Sequence, residues 1–263
     1  MNTSIKVQGV RKVYETDKDR IEAVSDVSFS VEGGEFISIL GPSGCGKSTL
    51  LMMCAGLESI TSGRIIMNGV SVTGPQANVG IMFQDSTLLP WKTVMENILF
   101  PVRIQKRPLE QHRERARELL EMVGLSGFEH KKPHQLSGGM RQRVAICRAL
   151  ITDPDVLLMD EPFSALDAMT RDEMNDALVD IWRRYPKTGL FVTHSIREAV
   201  YLADRVLVMT RRPATVVEDI RVPFGRDRDR SIGEKPEFNE LCGHLRNLID
   251  HREHVLRAVG KAA

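Results

Sequence analysis

The stretch Gly41-Pro-Ser-Gly-Cys-Gly-Lys-Ser-Thr49, entered from the apolar run Glu35-Phe-Ile-Ser-Ile-Leu40, most constrains this fold. It fits the phosphate-loop pattern G-x-x-x-x-G-K-[ST], which carries meaning when a strand leads in and a helix leads out. The residues that follow, Leu50 to Leu57, read as that helix, buried along its length. Gly41, Gly44 and Gly46 allow a sharp turn and close approach, so that several backbone N–H groups can face one anion. The helix adds its positive end. Lys47 supplies a point charge near the β- and γ-phosphates, and the Ser48 hydroxyl suits Mg²⁺. Pro42, Ser43, Cys45 and Thr49 complete the loop. These residues define a nucleotide-binding site.

At 263 residues the chain suits one large domain or two intimate subdomains. Its 36 lysines and arginines nearly cancel 35 aspartates and glutamates, so no strong overall field draws it to nucleic acid. The four cysteines (Cys45, Cys54, Cys147 and Cys242) form no C-x-x-C pair, and no secretory signal is visible. That usage points to reduced thiols and a cytoplasmic setting. No apolar run approaches the length that spans a bilayer, so a membrane role would come through a partner.

Along the chain, alternation at Ile5, Val7, Val10 and Val13, then at Val27, Phe29 and Val31, predicts strands of an antiparallel sheet. Tyr14 is either a base-stacking aromatic or a rim residue of the core. Residues 62–69 read as a strand ending in an Asn-Gly turn, and 79–84 form a further apolar run that ends on Gln84. Apolar positions at Ala116, Leu119, Leu120 and Val123 predict a helix stopped by Gly124, inside a helical insertion between strands. Ser137, Gly138 and Gly139 open a further helix over 141–150, as an anion nest or as an ordinary N-cap.

Val156-Leu-Leu-Met-Asp160 reads as a strand buried on both faces, and ligand chemistry gathers at the carboxyl ends of such strands. Asp160 can then support the cation held by Ser48, and Glu161 can orient or deprotonate an attacking water. Thr170-x-x-Glu173 predicts a capping box before a helix that packs through Met174, Leu178, Ile181 and Trp182. His194 ends another buried strand and precedes a helix capped by Ser195, a position suited to a γ-phosphate contact. Residues 205–220 predict a closing hairpin through Arg211-Arg-Pro213. Arg226 to Arg230 reads as a locally neutral, solvated run. From Pro236 onward an amphipathic helix is expected, with His251 and His254 on one face and no other ligand cluster near in sequence.

Together these motifs resemble the ATP-binding subunit of an ABC transporter over nearly the whole chain. Residues 41–49 resemble the family's Walker A loop, Gln84 its Q-loop, Leu136 to Met140 its signature and Val156 to Glu161 its Walker B strand. Ser164-Ala-Leu-Asp167 resembles the D-loop, His194 the switch histidine and Tyr14 the adenine-stacking aromatic. The resemblance implies an α/β P-loop NTPase core sheet with an N-terminal antiparallel β subdomain and an inserted helical subdomain. In that scheme 1–84 and 156–220 form the ATP-binding core, 85–155 the helical part and 221–263 a C-terminal helical extension. It also implies ATP and Mg²⁺ as cofactors, with Ser48, Gln84 and Asp160 around the metal and Glu161, His194 and Gln84 in catalysis. Ser137, Gly138 and Gly139 would act on a partner's ATP in a head-to-tail dimer, with Asp167 in the D-loop.

The implied partners are a second copy, an integral membrane permease docking near Leu89-Pro-Trp91, and indirectly an extracytoplasmic solute-binding protein. The implied place is peripheral, on the cytoplasmic face of the inner membrane. Leu88-Leu-Pro-Trp91, Pro162-Phe163, Leu166-Asp-Ala168 and residues 211–213 look most like the importers of nitrate, sulfonates and taurine. Two residues depart from the family pattern: Met140 replaces the signature glutamine, and Ser195 the aspartate usual after the histidine. A soluble ABC ATPase acting on nucleic acid or ribosomes is the alternative, but this chain lacks the long coiled-coil insertions, tandem cassettes and strong basic regions usual there. A nucleotide-binding regulator without turnover is opposed by Glu161 and His194.

Overall fold

The computed structural model describes residues 4–15 and 19–259, with side chains described as far as 250. In chain order the elements begin with β1 (Ile5–Glu15), β2 (Arg20–Val31), β3 (Phe36–Leu40), α1 (Lys47–Cys54), β4 (Ser62–Met67), β5 (Val70–Ser71) and β6 (Val79–Met82). Helices α2 (Val94–Ile98), α3 (Phe100–Ile104), α4 (Leu109–Met122) and α5 (Gly138–Leu150) follow. The chain continues through β7 (Val156–Asp160), α6 (Ala168–Arg184), β8 (Thr188–Thr193), α7 (Ile196–Leu202), β9 (Arg205–Met209), β10 (Val216–Arg221) and α8 (Pro236–Val259). Two compact units emerge, one of residues 1–76 with 188–263 and one of 77–187.

The first unit holds an antiparallel sheet in the order β2-β1-β4-β5. Ile5, Val7, Val10 and Val13 face inward as expected, but strict alternation ends at Val7. Register shifts between Val7 and Val10 and on to Val13 reset which residues meet the core, and Lys12 is buried beside Val13. Asn68 and Gly69, both with positive φ, turn β4 into β5. The same unit holds strands in the order β10-β9-β3-β8, with β3 parallel to β8 and β9 and only β10 antiparallel. Every residue of β3 and β8 is buried, as a parallel strand covered on both faces requires. The Phe36 and Phe191 rings, 6.0 Å apart, lock the two strands together.

The second unit contains the parallel pair β6 and β7 and the helices α2 to α6. Helix α4 buries Ala116, Leu119 and Leu120, and Val123 just after it is buried too. Gly124 follows at φ 69°, the left-handed stop expected there. Among the described residues no helix is long and apolar enough to cross a membrane.

Four expectations are corrected. Helix α1 stops at Cys54, three residues short of Leu57. Gly56, at φ 70°, donates to the Met53 carbonyl and Leu57 to the Met52 carbonyl, so a Schellman turn ends the helix and leaves Leu57 48% exposed. Helix α5 begins at Gly138, because Ser137 caps it. Helix α6 is capped by Asp167 and not by Thr170, which lies inside its first turn and donates to Asp167 through both its N–H and its hydroxyl.

The run Arg226 to Arg230 is not simply solvated. Arg228 is 4% exposed, and Arg226 pairs with Asp204 at 2.7 Å. The side chains of His251 and His254 lie outside the described residues.

Candidate functional site

The phosphate loop joins β3 to α1 within the first unit. Two of its glycines are dictated by backbone crowding. A Cβ at Gly46, which has φ 123°, would lie 2.8 Å from the Ala23 carbonyl oxygen, and one at Gly41 would lie 2.9 Å from that of Met209. Gly46 is also the N-cap of α1, so no side chain covers the first turn, and no acidic residue stands in that turn. Such a helix start offers N–H donors and a positive dipole end to an anion. The Lys47 ammonium is 3% exposed and donates to the carbonyls of Gly41 (2.9 Å) and Pro42 (3.0 Å), which fixes its position across the loop mouth.

Ser43, Gly44 and Ser48 are exposed, and Cys45 is buried beneath the loop. Burial pushes the Cys45 thiol above its ordinary pKa, so it acts as a packing residue. Tyr14, at the end of β1, is 38% exposed with the Lys12 ammonium 4.8 Å from its ring centre. The exposed ring is therefore held by a cation–π contact on its own strand.

His194 stands at the carboxyl end of β8 and immediately before Ser195, whose hydroxyl caps α7 by accepting from the Glu198 N–H. The Glu198 carboxylate does not complete a capping box. It accepts instead from the Thr193 hydroxyl at 2.6 Å, tying α7 to the last residue of β8. His194 is thus set between two mutually bonded elements.

In the second unit, Asp160 is buried at the carboxyl end of β7, and Glu161 follows with φ 42°, a left-handed conformation that costs a non-glycine residue about 1–2 kcal/mol. Its carbonyl is held by the Ser164 N–H (3.2 Å) and the Ser164 hydroxyl (2.9 Å). That hydroxyl in turn accepts from the Gln84 side-chain amide at 3.1 Å. Gln84, Ser164 and Glu161 therefore form one hydrogen-bonded chain. Asp167 lies three residues on, and its bonds from the Thr170 backbone and hydroxyl hold its carboxyl below the usual carboxylate range.

At the start of α5, Ser137 and Gly138 are exposed and the Ser137 hydroxyl accepts from the Met140 N–H at 3.2 Å, so the N-cap geometry is realised. Gly139 is buried. A Cβ there would meet Thr170 Cγ2 at 2.5 Å, so close packing against α6 demands glycine.

Several supporting residues escaped the sequence reading. Gln142, 4% exposed, donates to the Gln84 carbonyl at 2.8 Å, and Arg148 donates to the carbonyls of Ser86 and Thr87. Asn97, fully buried, accepts from the Leu89 N–H and donates to the carbonyls of Leu89, Lys92 and Thr93. Together they shape the segment 84–93, which carries Trp91 outward at 68% exposure. The available signal was polarity at buried helical register positions, a pattern that marks hydrogen-bonded polar groups.

A parallel-stranded core with a phosphate loop, a buried aspartate–glutamate strand end and a capped glycine-rich helix start defines a P-loop nucleotide-binding protein. The ABC transporter family profile matches residues 24–164, and the chain belongs to that family. It is 45% identical to an ABC transporter ATP-binding protein of Methanocaldococcus jannaschii, over 98% of this chain and 95% of that one. It is 42% identical to a taurine import ATP-binding protein of Roseobacter denitrificans, over 93% of each chain. A nitrate import ATP-binding protein of Synechococcus elongatus is 44% identical over 88% of this chain and 86% of its own. A solved dimeric ATP-binding cassette, in a post-hydrolysis state bound to ADP and phosphate, superposes with a TM-score of 0.74 at 32% identity. That match covers 84% of this chain and all of the other.

Proposed function

We propose that this chain is the ATP-hydrolysing subunit of an ABC importer that takes up a small anion such as taurine, another sulfonate or nitrate. It would work as a pair of copies beneath a separate permease, peripheral to the cytoplasmic face of the membrane. An extracytoplasmic solute-binding protein would deliver the solute.

The observation that carries the reading is one chain's possession of both a Lys47-bearing phosphate loop at a helix start and a buried strand ending in Asp160 and Glu161. Lys47 and the loop N–H groups bind the phosphates, and Tyr14 stacks on the base. Glu161 takes the proton of the attacking water as it adds to the γ-phosphorus, and ADP leaves on the opposite side. His194 contacts the γ-phosphate, and Gln84 reports its presence. Ser137, Gly138 and Gly139 reach the partner copy's nucleotide, and Asp167 lies beside that contact.

Ser48, Asp160 and Gln84 each carry an oxygen donor, the chemistry Mg²⁺ takes, and are the residues that would hold the ion. Held by them, Mg²⁺ would supply positive charge to offset that of the β- and γ-phosphates.

Mild-detergent capture from native membranes tests the transport reading. A polytopic permease is expected with the chain, and the reconstituted complex should hydrolyse ATP faster when its binding protein carries taurine, a sulfonate or nitrate. Recovery with nucleic acid or ribosomes alone would overturn it.

A further inference from the structure

Arg228 is buried, 4% exposed, and belongs to none of the nucleotide-site motifs. Its guanidinium donates to the carbonyls of Val200 (3.0 Å), Tyr201 (2.9 Å) and Ala203 (2.8 Å) at the end of α7, and to those of Phe224 and Gly225 in its own segment. Helix α7 has seven residues, too few to be stable without tertiary support. Its last carbonyls have no partners within the helix, and a cation there also meets the negative end of the helix dipole.

The same helix is gripped elsewhere by the C-terminal segment. Arg197 donates to Asn239 and to the Gly233 carbonyl, and its guanidinium lies 5.0 Å from the centre of the Phe238 ring. Phe238 is buried against Phe224. At its other end α7 starts from Ser195, one residue after His194.

We infer that Arg228 is a positioning residue: by clamping the carboxyl end of α7 it holds the helix whose start sets His194. The C-terminal segment is thereby part of the catalytic scaffold. This deepens the proposed reading and rests on His194 acting at the γ-phosphate.

A double-mutant cycle in the full chain tests it, with kcat and KM for ATP measured for each variant. Arg228→Met is expected to lower kcat about ten- to a hundredfold, as displacement of a catalytic group does, while KM changes less than about twofold because the phosphate loop is untouched. Arg228→Lys, which keeps a cation but not the fork of donors, should fall between, and it carries the test should Arg228→Met fail to fold. In a His194→Ala background, either Arg228 change should add little to the loss.

Two independent, multiplying losses would assign Arg228 a merely structural role and overturn the inference. So would a kcat unaffected by both Arg228 changes while His194→Ala is slow. A fully active His194→Ala variant would instead refute the His194 reading, and the inference with it.

Discussion

The Gln84 side-chain amide donates to the Ser164 hydroxyl, and that hydroxyl donates to the Glu161 carbonyl. The residue taken to sense the γ-phosphate and the residue taken to attack through water thus share one intermediary. Ser164→Ala removes the hydroxyl shared by both bonds while the backbone N–H at position 164 still donates to the Glu161 carbonyl. The expected result is a several-fold fall in kcat, within the roughly 0.5–1.5 kcal/mol that a neutral hydrogen bond contributes, with nucleotide affinity unchanged. Steady-state phosphate release alongside equilibrium nucleotide binding checks it, and an equal loss in both would refute the assignment.

Glu161 also carries backbone strain, and substitution can separate strain from chemistry. Glu161→Gln should bind ATP as the parent does while turnover drops by about 10²-fold or more. Glu161→Gly and Glu161→Ala should be equally inactive, yet glycine is at home at φ 42°. The glycine variant is therefore expected to be more stable than the alanine variant by about 1 kcal/mol, the reverse of the usual order. Thermal melts of the two settle the sign.

The phosphate loop makes a sharper demand. Gly46→Ala forces a Cβ to within 2.8 Å of the Ala23 carbonyl and strains a φ of 123°, so either the loop or β2 must shift. Loss of nucleotide binding is expected, with a stability cost of about 1–3 kcal/mol. Lys47→Ala should lose the affinity without that cost being tied to the backbone. Titration with a fluorescent nucleotide distinguishes them from variants that bind but do not turn over.

What was legible in the sequence was local. The phosphate loop, the continuous strand β7 and the stop at Gly124 each announce themselves within ten residues, through periodicity and turn chemistry. Legibility failed where the partner is distant or where two local signals compete. Arg228 sits in an alternating charge run that reads as solvated, and the carbonyls it satisfies on α7 lie 25 to 28 residues away. Gln142 serves a carbonyl 58 residues away. At α6 two capping signals overlap, Asp167 with Thr170 and Thr170 with Glu173. The earlier one holds because Asp167 keeps an extended backbone, ψ 164°, and Asp is the stronger cap.

The cysteines give a prediction in pH. Burial pushes the thiols of Cys54, on α1, and Cys147, on α5, up to about 12. At pH 8 almost no thiolate is present at either site, so maleimide should label neither in the native protein and both after denaturation. The linkage has a definite sign. A group whose folded pKa is raised contributes its stability fully below the unfolded value, 9.0 here, and loses it as pH rises toward the folded value. Between those limits each thiol should steepen the fall in unfolding free energy by about 1.4 kcal/mol per pH unit. Replacing both by alanine should flatten that alkaline slope while lowering stability at pH 7 through the small cavities left behind. Denaturant melts across pH 8 to 11 on parent and double variant make the comparison, and parallel slopes would show that the two thiols do not titrate with unfolding.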